Sequence, residues 1–408
     1  MKIFSRFCFV VFWAAASISS LFAQWQNTNG PGNGNVRSFA VSGTNLFAGT
    51  QGGGVFLSTD NGTNWTQKNS GLTNLNVRSL TINGSNIFAA TYGGGVFLST
   101  NNGTNWTPVN TGLTSMVVQA IASNGLNLFA GTYTGGVFLS TNNGANWTAV
   151  NTGLTSLNIH SLAISGPNLF AGTYVGGIFL STNNGSNWTA VNTGFSNNFS
   201  VYAIAPNGTN IFAGLYGAGV ILSTDYGTSW TAVNTGLTNM NVRAFAFSGS
   251  NLFVGLYGGG VCQSTNNGTN WTEVNTGLTS FAVWSLAIKD TNLFAGISTT
   301  VWRRPLSDMI TSVEQIPNNL PLQFYLGQNY PNPFNPVTNF RFKIPHRSFV
   351  RLEIYNSIGQ HVSTLIDEEK EAGIYEVSWN AAGLTSGVYF YKLTSGTFSE
   401  TKKLILLK

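Results

Sequence analysis

Charge is scarce in this sequence: Asp, Glu, Lys and Arg together make up 8% of its 408 residues. A chain so poor in charge and so rich in Gly, Asn, Thr and Ser could lack a core, but 42% hydrophobic content with 11 Trp and 29 Phe excludes that. Basic runs are missing as well. Between residues 24 and 304 the cations are Arg37, Lys68, Arg78, Arg243, Lys289, Arg303 and Arg304, with only the last two adjacent. Nucleic acid is therefore not an expected partner, despite a formal net charge of +5.

Long apolar runs are also absent beyond the first residues. Lys2 and Arg6, the apolar stretch Phe7 to Ala16, and Leu21-Phe22-Ala23 read as a secretory signal peptide over residues 1–23. The run is short for a membrane-spanning helix, and no later stretch is apolar enough to cross. Cleavage after Ala23 leaves Cys262 as the sole cysteine, so no internal disulfide can form and the fold must stand on packing. No segment shows a helical period either.

What the sequence does have is repetition. Trp65, Trp106, Trp147, Trp188, Trp230 and Trp271 are separated by 41, 41, 41, 42 and 41 residues. Each follows a segment such as Ser99-Thr100-Asn101-Asn102-Gly103-Thr104-Asn105. In one unit, Val77–Ile82 reads as strand a, Asn86–Thr91 as b, Gly95–Thr100 as c and Asn105–Asn110 as d, with Asn-Gly, Gly-Gly and Thr-Gly turns between them. Four short antiparallel strands at a period in the low forties describe a propeller blade.

Strand a is expected to be innermost. Val77, Ser79 and Thr81 alternate with Arg78, Leu80 and Ile82, and small residues recur on one face, as at Ala120 and Ala122 or Ser161 and Ala163. Small faces suit strands that converge on an axis. Strand b recurs seven times, at Asn45, Asn86, Asn127, Asn168, Asn210, Asn251 and Asn292. The last copy lacks its Trp-containing strand d, and Trp25 stands before the first copy at nearly the missing spacing. The N-terminal strand is thus expected to complete the last blade and close the ring, leaving no sheet edge exposed.

The Ser-x-Asp-x-Gly-x-x-Trp turn resembles the Asp-box of BNR-repeat propellers over residues 24–304. Asp60 and Asp225 keep the acid, while Asn101, Asn142, Asn183 and Asn266 replace it, and the usual Thr before Trp is Asn or Ser. The resemblance implies the architecture, in which the box is a structural turn, and carries no chemistry. That family includes sialidases and glucanases, so catalysis has to be weighed.

A glycosidase needs two carboxylates. The repeats hold Asp60, Asp225, Glu273 and Asp290: two in box turns, one after Trp271 on an outer strand, one in an a–b turn. No arginine cluster matches the spacing of the sialidase carboxylate clamp. His160 is the only histidine of the repeats, which leaves no His-based metal site or catalytic dyad. Cys262 aligns with Phe56 and Phe97 and reads as a buried, inert thiol. The Gly-Gly-Gly turns open strands rather than helices and lack a phosphate-binding helix terminus. No catalytic residue, metal or cofactor is expected.

Antiparallel connectivity puts the start of strand a, the end of b and the b–c loop on one face. There, the second residue of strand a is Arg37, Arg78, Gln119, His160, Tyr202, Arg243 and Trp284 in successive copies. Its neighbours barely change, whereas this position changes in size and charge. A second column, Tyr92, Tyr133, Tyr174, Tyr216 and Tyr257, does not change, with Gln51 and Ser298 in the outer copies. Together these are the candidate ligand-binding residues at the channel mouth, suited to sugar faces or a protein partner. The bland alternatives are tyrosines packed on Gly-rich loops and drift at an exposed site.

After Arg304 the repeat ends. Residues 305–321 read as a Pro-containing linker, and strands are expected at Phe340–Ile344, Val350–Tyr355, Val362–Ile366, Tyr375–Trp379, Val388–Leu393 and Lys402–Leu407, an Ig-like sandwich. Tyr330-Pro331-Asn332-Pro333-Phe334-Asn335-Pro336, Ile354-Tyr355-Asn356 with Gly359, Gly387-Val388-Tyr389-Phe390-Tyr391 and Lys402-Lys403-Leu404 make residues 322–408 similar to the C-terminal sorting domain of type IX secretion cargo. That resemblance implies Sec export, the type IX machinery as a partner, and release or attachment at the outer-membrane surface, the only membrane contact expected. The expected fold is all-β, a seven-bladed propeller followed by the small sandwich. The expected function is secreted or cell-surface binding of a glycan or extracellular protein. A degenerate sialidase-like enzyme and a structural surface-layer propeller are the alternatives.

Overall fold

Turn residues decide where each repeat folds back. In the second repeat, Asn83 to Asn86 and Gly93-Gly94 separate strands Val77–Asn83, Asn86–Thr91 and Gly95–Ser99, and a short fourth strand, Thr107–Pro108, completes the sheet. The computed structural model describes residues 24–125, 127–309 and 323–407. The signal peptide read over 1–23 and linker residues 310–321 lie outside the described residues. The chain divides into two units at residues 310 and 311.

The first unit holds seven four-stranded antiparallel sheets, six of them built from consecutive strands. The seventh combines Val283–Lys289, Asn292–Ile297 and Thr300–Pro305 with the N-terminal strand Gln26–Pro31. This is the expected closure, and it makes the unit a seven-bladed propeller. The seam from seventh blade to first is further tied by Lys289, which reaches both Asn61 and Asp290, and by Arg303, which donates to the Asn61 carbonyl at 2.7 Å.

Two expectations need correction. Strand d is two residues long rather than six, because its donors are drawn elsewhere. Asn105 N donates to the Asn101 side chain at 2.9 Å, and Trp106 N donates to the Ser70 carbonyl of the preceding blade at 2.8 Å. The linker also begins later than residue 305. Pro305 ends the last strand c, and Leu306 and Met309 are buried in the seventh blade's core.

Packing between blades explains the unvarying Phe of strand b. Phe47, Phe88, Phe129, Phe170, Phe212, Phe253 and Phe294 are all fully buried. Phe47 packs with Val77, Leu80, Ile87 and Trp106 of the following blade, and the others repeat this. Truncating one such Phe to Ala costs about 3–5 kcal/mol in a close-packed core. Glycine is required where a Trp backbone crosses: Gly112 has φ of +85°, and a Cβ there would lie 2.2 Å from the Trp147 carbonyl oxygen.

The second unit packs two antiparallel sheets on one core. One comprises Tyr325–Leu326, Val337–Ile344 and Gly373–Asn380; the other orders His361–Lys370, Ser348–Asn356, Gly387–Ser395 and Phe398–Leu406 side by side. All six expected strands are present, most of them longer. Phe340, Phe342, Leu352, Tyr391 and Leu404 are among the buried residues between the sheets. The Pro-rich opening is held by side chains. Asn332 accepts from Ile405 N at 2.9 Å, Phe334 is buried, and Asn329 donates to the Pro331 carbonyl at 3.0 Å. The Tyr391 hydroxyl bonds Gly327 O and Asn329 N, and burial pushes its pKa up to about 12.

Candidate functional site

The seven variable residues share one backbone irregularity. In blade two Val77 pairs with Thr91 and Ser79 with Ala90, so two residues advance on strand a while one advances on strand b. Arg78 has no partner in the ladder. The same bulge omits Arg37, Gln119, His160, Tyr202, Arg243 and Trp284 from their ladders. A bulge re-aims the side chain it frees. It also corrects the alternation expected for strand a. Val77 and Ser79 oppose adjacent residues of strand b and so face opposite sides, with Val77 joining the Leu80 face.

Freed this way, the seven side chains converge. Arg37, Arg78, Gln119, His160, Tyr202, Arg243 and Trp284 line one cavity of about 100 Å3. Residues spread over 248 positions of sequence are brought together by the closure of the ring. Inside it, the Arg37 guanidinium lies 3.7 Å from the Trp284 ring centroid and the Arg243 guanidinium 3.6 Å from that of Tyr202. His160 meets Tyr202 edge-on at 4.5 Å.

The tyrosine column forms an outer tier. Tyr92, Tyr133, Tyr174, Tyr216 and Tyr257 are between 39% and 51% exposed, so they are not simply packed on the Gly-rich loops. Four of them lean on the inner ring: Tyr92 under Arg78 at 4.8 Å, Tyr174 stacked on His160 at 5.5 Å, Tyr216 against Tyr202 at 6.0 Å, and Tyr257 against Trp284 at 4.7 Å. Their backbones have a separate task. Tyr92 N donates to the carbonyl of Asn76, just ahead of strand a in its own blade, at 2.9 Å, and the other four tyrosines bond the start of their own strand a likewise.

Gln51, which takes the place of Tyr in the first copy of the tyrosine column, accepts from Arg37 Nε at 3.0 Å. One supporting residue escaped sequence reasoning: Asn158 accepts from Gln119 Nε2 at 3.1 Å.

Three guanidinium groups and no carboxylate line this cavity. Burial, with Arg78 and Arg243 nearby, lowers the Arg37 pKa to about 9, still protonated at neutral pH. Burial chiefly, then Arg243 and Arg78, lowers His160 to about 4, so its imidazole is neutral. Arg78 is lowered by burial too. Arg78 Nε, Arg243 Nε and His160 Nε2 are buried without a hydrogen-bond partner.

The four acids of the repeats lie elsewhere. Asp60 and Asp225 serve c–d turns, accepting from Asn64 N and Ser229 N at 2.9 Å. Glu273 is exposed on a strand d, and Asp290 pairs with Lys289 at 2.6 Å. Cys262 is fully buried, and burial raises its thiol to about 11.

Among solved structures, the chain is similar to the extracellular domain of a putative hybrid two-component system from B. thetaiotaomicron. The TM-score is 0.60 at 14% identity, over 94% of this chain and 57% of that one. It is similar to the GH74 xyloglucanase from Xanthomonas campestris, with TM-score 0.56 and 15% identity over 70% of this chain and 54% of that one. YCF48 from Cyanidioschyzon merolae gives 0.54 and 16%, over 69% of this chain and 98% of that one. At such identities the likeness extends to the fold alone, and this chain spans little more than half of the first two. No curated protein matches the sequence. Residues 328–407 match the family model for the secretion system C-terminal sorting domain. The tail is that domain, and it directs this propeller protein through type IX secretion to the cell surface or the extracellular space.

Proposed function

We propose that the exported propeller is a non-catalytic binding protein that recognises a glycan, or a protein on a neighbouring surface, through its channel-mouth face. The observation that carries this is the sevenfold bulge. One backbone device, repeated in every blade, presents seven mostly unlike side chains to a single cavity. A purely structural ring would be expected to fill those positions alike, as the seven strand-b phenylalanines do.

A glycan suits the site better than a broad protein surface does. The cavity is small, and half-exposed tyrosine rings stand around it as faces on which a sugar can stack. The absence of a carboxylate from the lining supports binding over glycoside hydrolysis, which works through two. Six Ser-x-Asp or Ser-x-Asn turns ahead of Trp further support placing the repeats among BNR/Asp-box propellers, where such turns build the blade.

A glycan-array screen of the exported protein, beside its Tyr133→Ala/Tyr174→Ala variant, tests the proposal. Selective binding that the variant loses while keeping its melting temperature is the expected result. A blank array with folded protein removes the glycan reading and turns the search to protein partners.

A further inference from the structure

We infer that the cavity ringed by the bulged residues is an anion site, in which Arg37, Arg78 and Arg243 hold one oxyanion group, a carboxylate or a sulfate, of an acidic glycan. The inference rests on the binding role proposed above and specifies the chemistry of the ligand.

Three cations share this cavity without a counter-charge. Among the described residues, none of the ion pairs involves Arg37, Arg78 or Arg243; the pairs fall on Lys289 and on the C-terminal unit. The guanidinium groups rest instead on rings. Arg37 lies over Trp284, Arg78 over Tyr92, and Arg243 over Tyr202 with Trp284 at 5.1 Å. Aromatic faces hold a cation in place while leaving its N–H edges available. Among the described residues, only Arg37 of the three is drawn to a protein acceptor, the neutral Gln51.

The donors are also incompletely used. Arg78 Nε and Arg243 Nε are buried and unpaired, and an unpaired buried charged donor is costly unless something completes it. An oxyanion is the group that guanidinium forks match, through two parallel N–H···O bonds. His160 Nε2, also buried and unpaired, offers a further contact on the same wall. The lowered pKa of Arg37 agrees with this arrangement, since it reflects burial beside the two other cations. A bound anion would reverse that repulsion.

The test titrates the full exported protein with sodium glucuronate, glucose 6-sulfate, inorganic sulfate and glucose, following binding by calorimetry. Arg78→Gln and Arg243→Gln are run alongside, with Arg243→Lys as the variant that keeps charge but loses the planar fork. The expected result is that glucuronate or glucose 6-sulfate binds about tenfold or more tightly than glucose, and that the Gln variants lose that margin with melting unchanged. The tighter of the two identifies carboxylate or sulfate as the group, and inorganic sulfate competes with it. Should Arg243→Gln fail to fold, Arg243→Lys must weaken the acidic sugar more than glucose. Equal affinity for glucose and glucuronate, indifference to the Gln variants, or no anion binding at all would each overturn the inference. Glucose binding that Tyr133→Ala/Tyr174→Ala abolishes would leave the glycan-binding role standing without the anion site. Anion binding with a blank array of neutral and acidic glycans would overturn both the acidic-glycan inference and the glycan role.

Discussion

The indole of Trp25 donates to the backbone carbonyl of Val274 at 2.6 Å, joining residues 249 positions apart in the chain. Every interior blade repeats this bond: Trp106 to Lys68, Trp147 to Val109, Trp188 to Val150. Trp25 therefore serves as the seventh blade's missing tryptophan. Removing residues 24–34 is expected to unfold the propeller cooperatively, whereas Trp25→Ala lowers stability by about 3–5 kcal/mol for a buried aromatic. Denaturant melts of both variants check this, and an unchanged midpoint for the deletion would refute ring closure.

The c–d turns depend on a buried hydroxyl. Ser99 Oγ accepts from Gly103 N at 2.9 Å and donates to Asn101 Oδ1 at 3.0 Å, with Ser99 only 1% exposed. Ser99→Ala leaves a buried N–H unpaired and costs about 1–3 kcal/mol. Asp60→Asn should stay within about 1 kcal/mol of wild type, since Asn fills that position in four sibling turns using the same Oδ1. Equilibrium unfolding of the two variants separates the roles.

Tyr226 occupies a backbone conformation that suits other residues better. Its φ is +56°, where the sibling turns place Asn61, Asn102, Asn143, Asn184 and Asn267. A bulky residue is strained there and Asn is tolerated, so Tyr226→Asn should stabilise the protein by about 0.5–1 kcal/mol. A higher melting temperature is the expected readout.

His160 gives stability a pH dependence of known sign. Its pKa falls from 6.5 in the unfolded chain to about 4 when folded, so the unfolded state binds the proton first. The contribution is complete above pH 6.5 and is lost as pH falls toward 4. Arg243, Arg78, Tyr174 and Tyr202 are the charged and titratable groups that face it. Asp60, Asp225 and Asp290 have pKa values lowered below 3.8, so their contributions are lost mainly below this window. Melting curves between pH 7 and pH 4.5 should therefore be flatter for His160→Gln than for wild type.

Much of this was legible in the sequence because repeats report on themselves. The Trp spacing gave the blade period, the seven copies of strand b gave the blade count, and Trp25 gave the closure. The ring of Arg37, Arg78, Gln119, His160, Tyr202, Arg243 and Trp284 stood out as the one column that varies. What could not be read was the bulge, since alternating patterns assume an unbroken ladder and the freed residue carries no distinctive neighbour. The meeting of Arg37, Arg78 and Arg243 at the channel mouth was legible from that column, but not that the bulge turns them into one small cavity with no carboxylate in its lining. Strand d was overestimated because its donors serve the adjacent blade, a contact that no local pattern records.

Hydrogen–deuterium exchange, with and without the best array ligand, tests the central claim most directly. The account predicts added protection at the starts of strand a, residues 36–38, 77–79, 159–161 and 242–244, and in the loops that carry Tyr133 and Tyr174. Protection confined to the Ser-x-Asp and Ser-x-Asn turns on the opposite face, around residues 58–64 and 99–105, would contradict it.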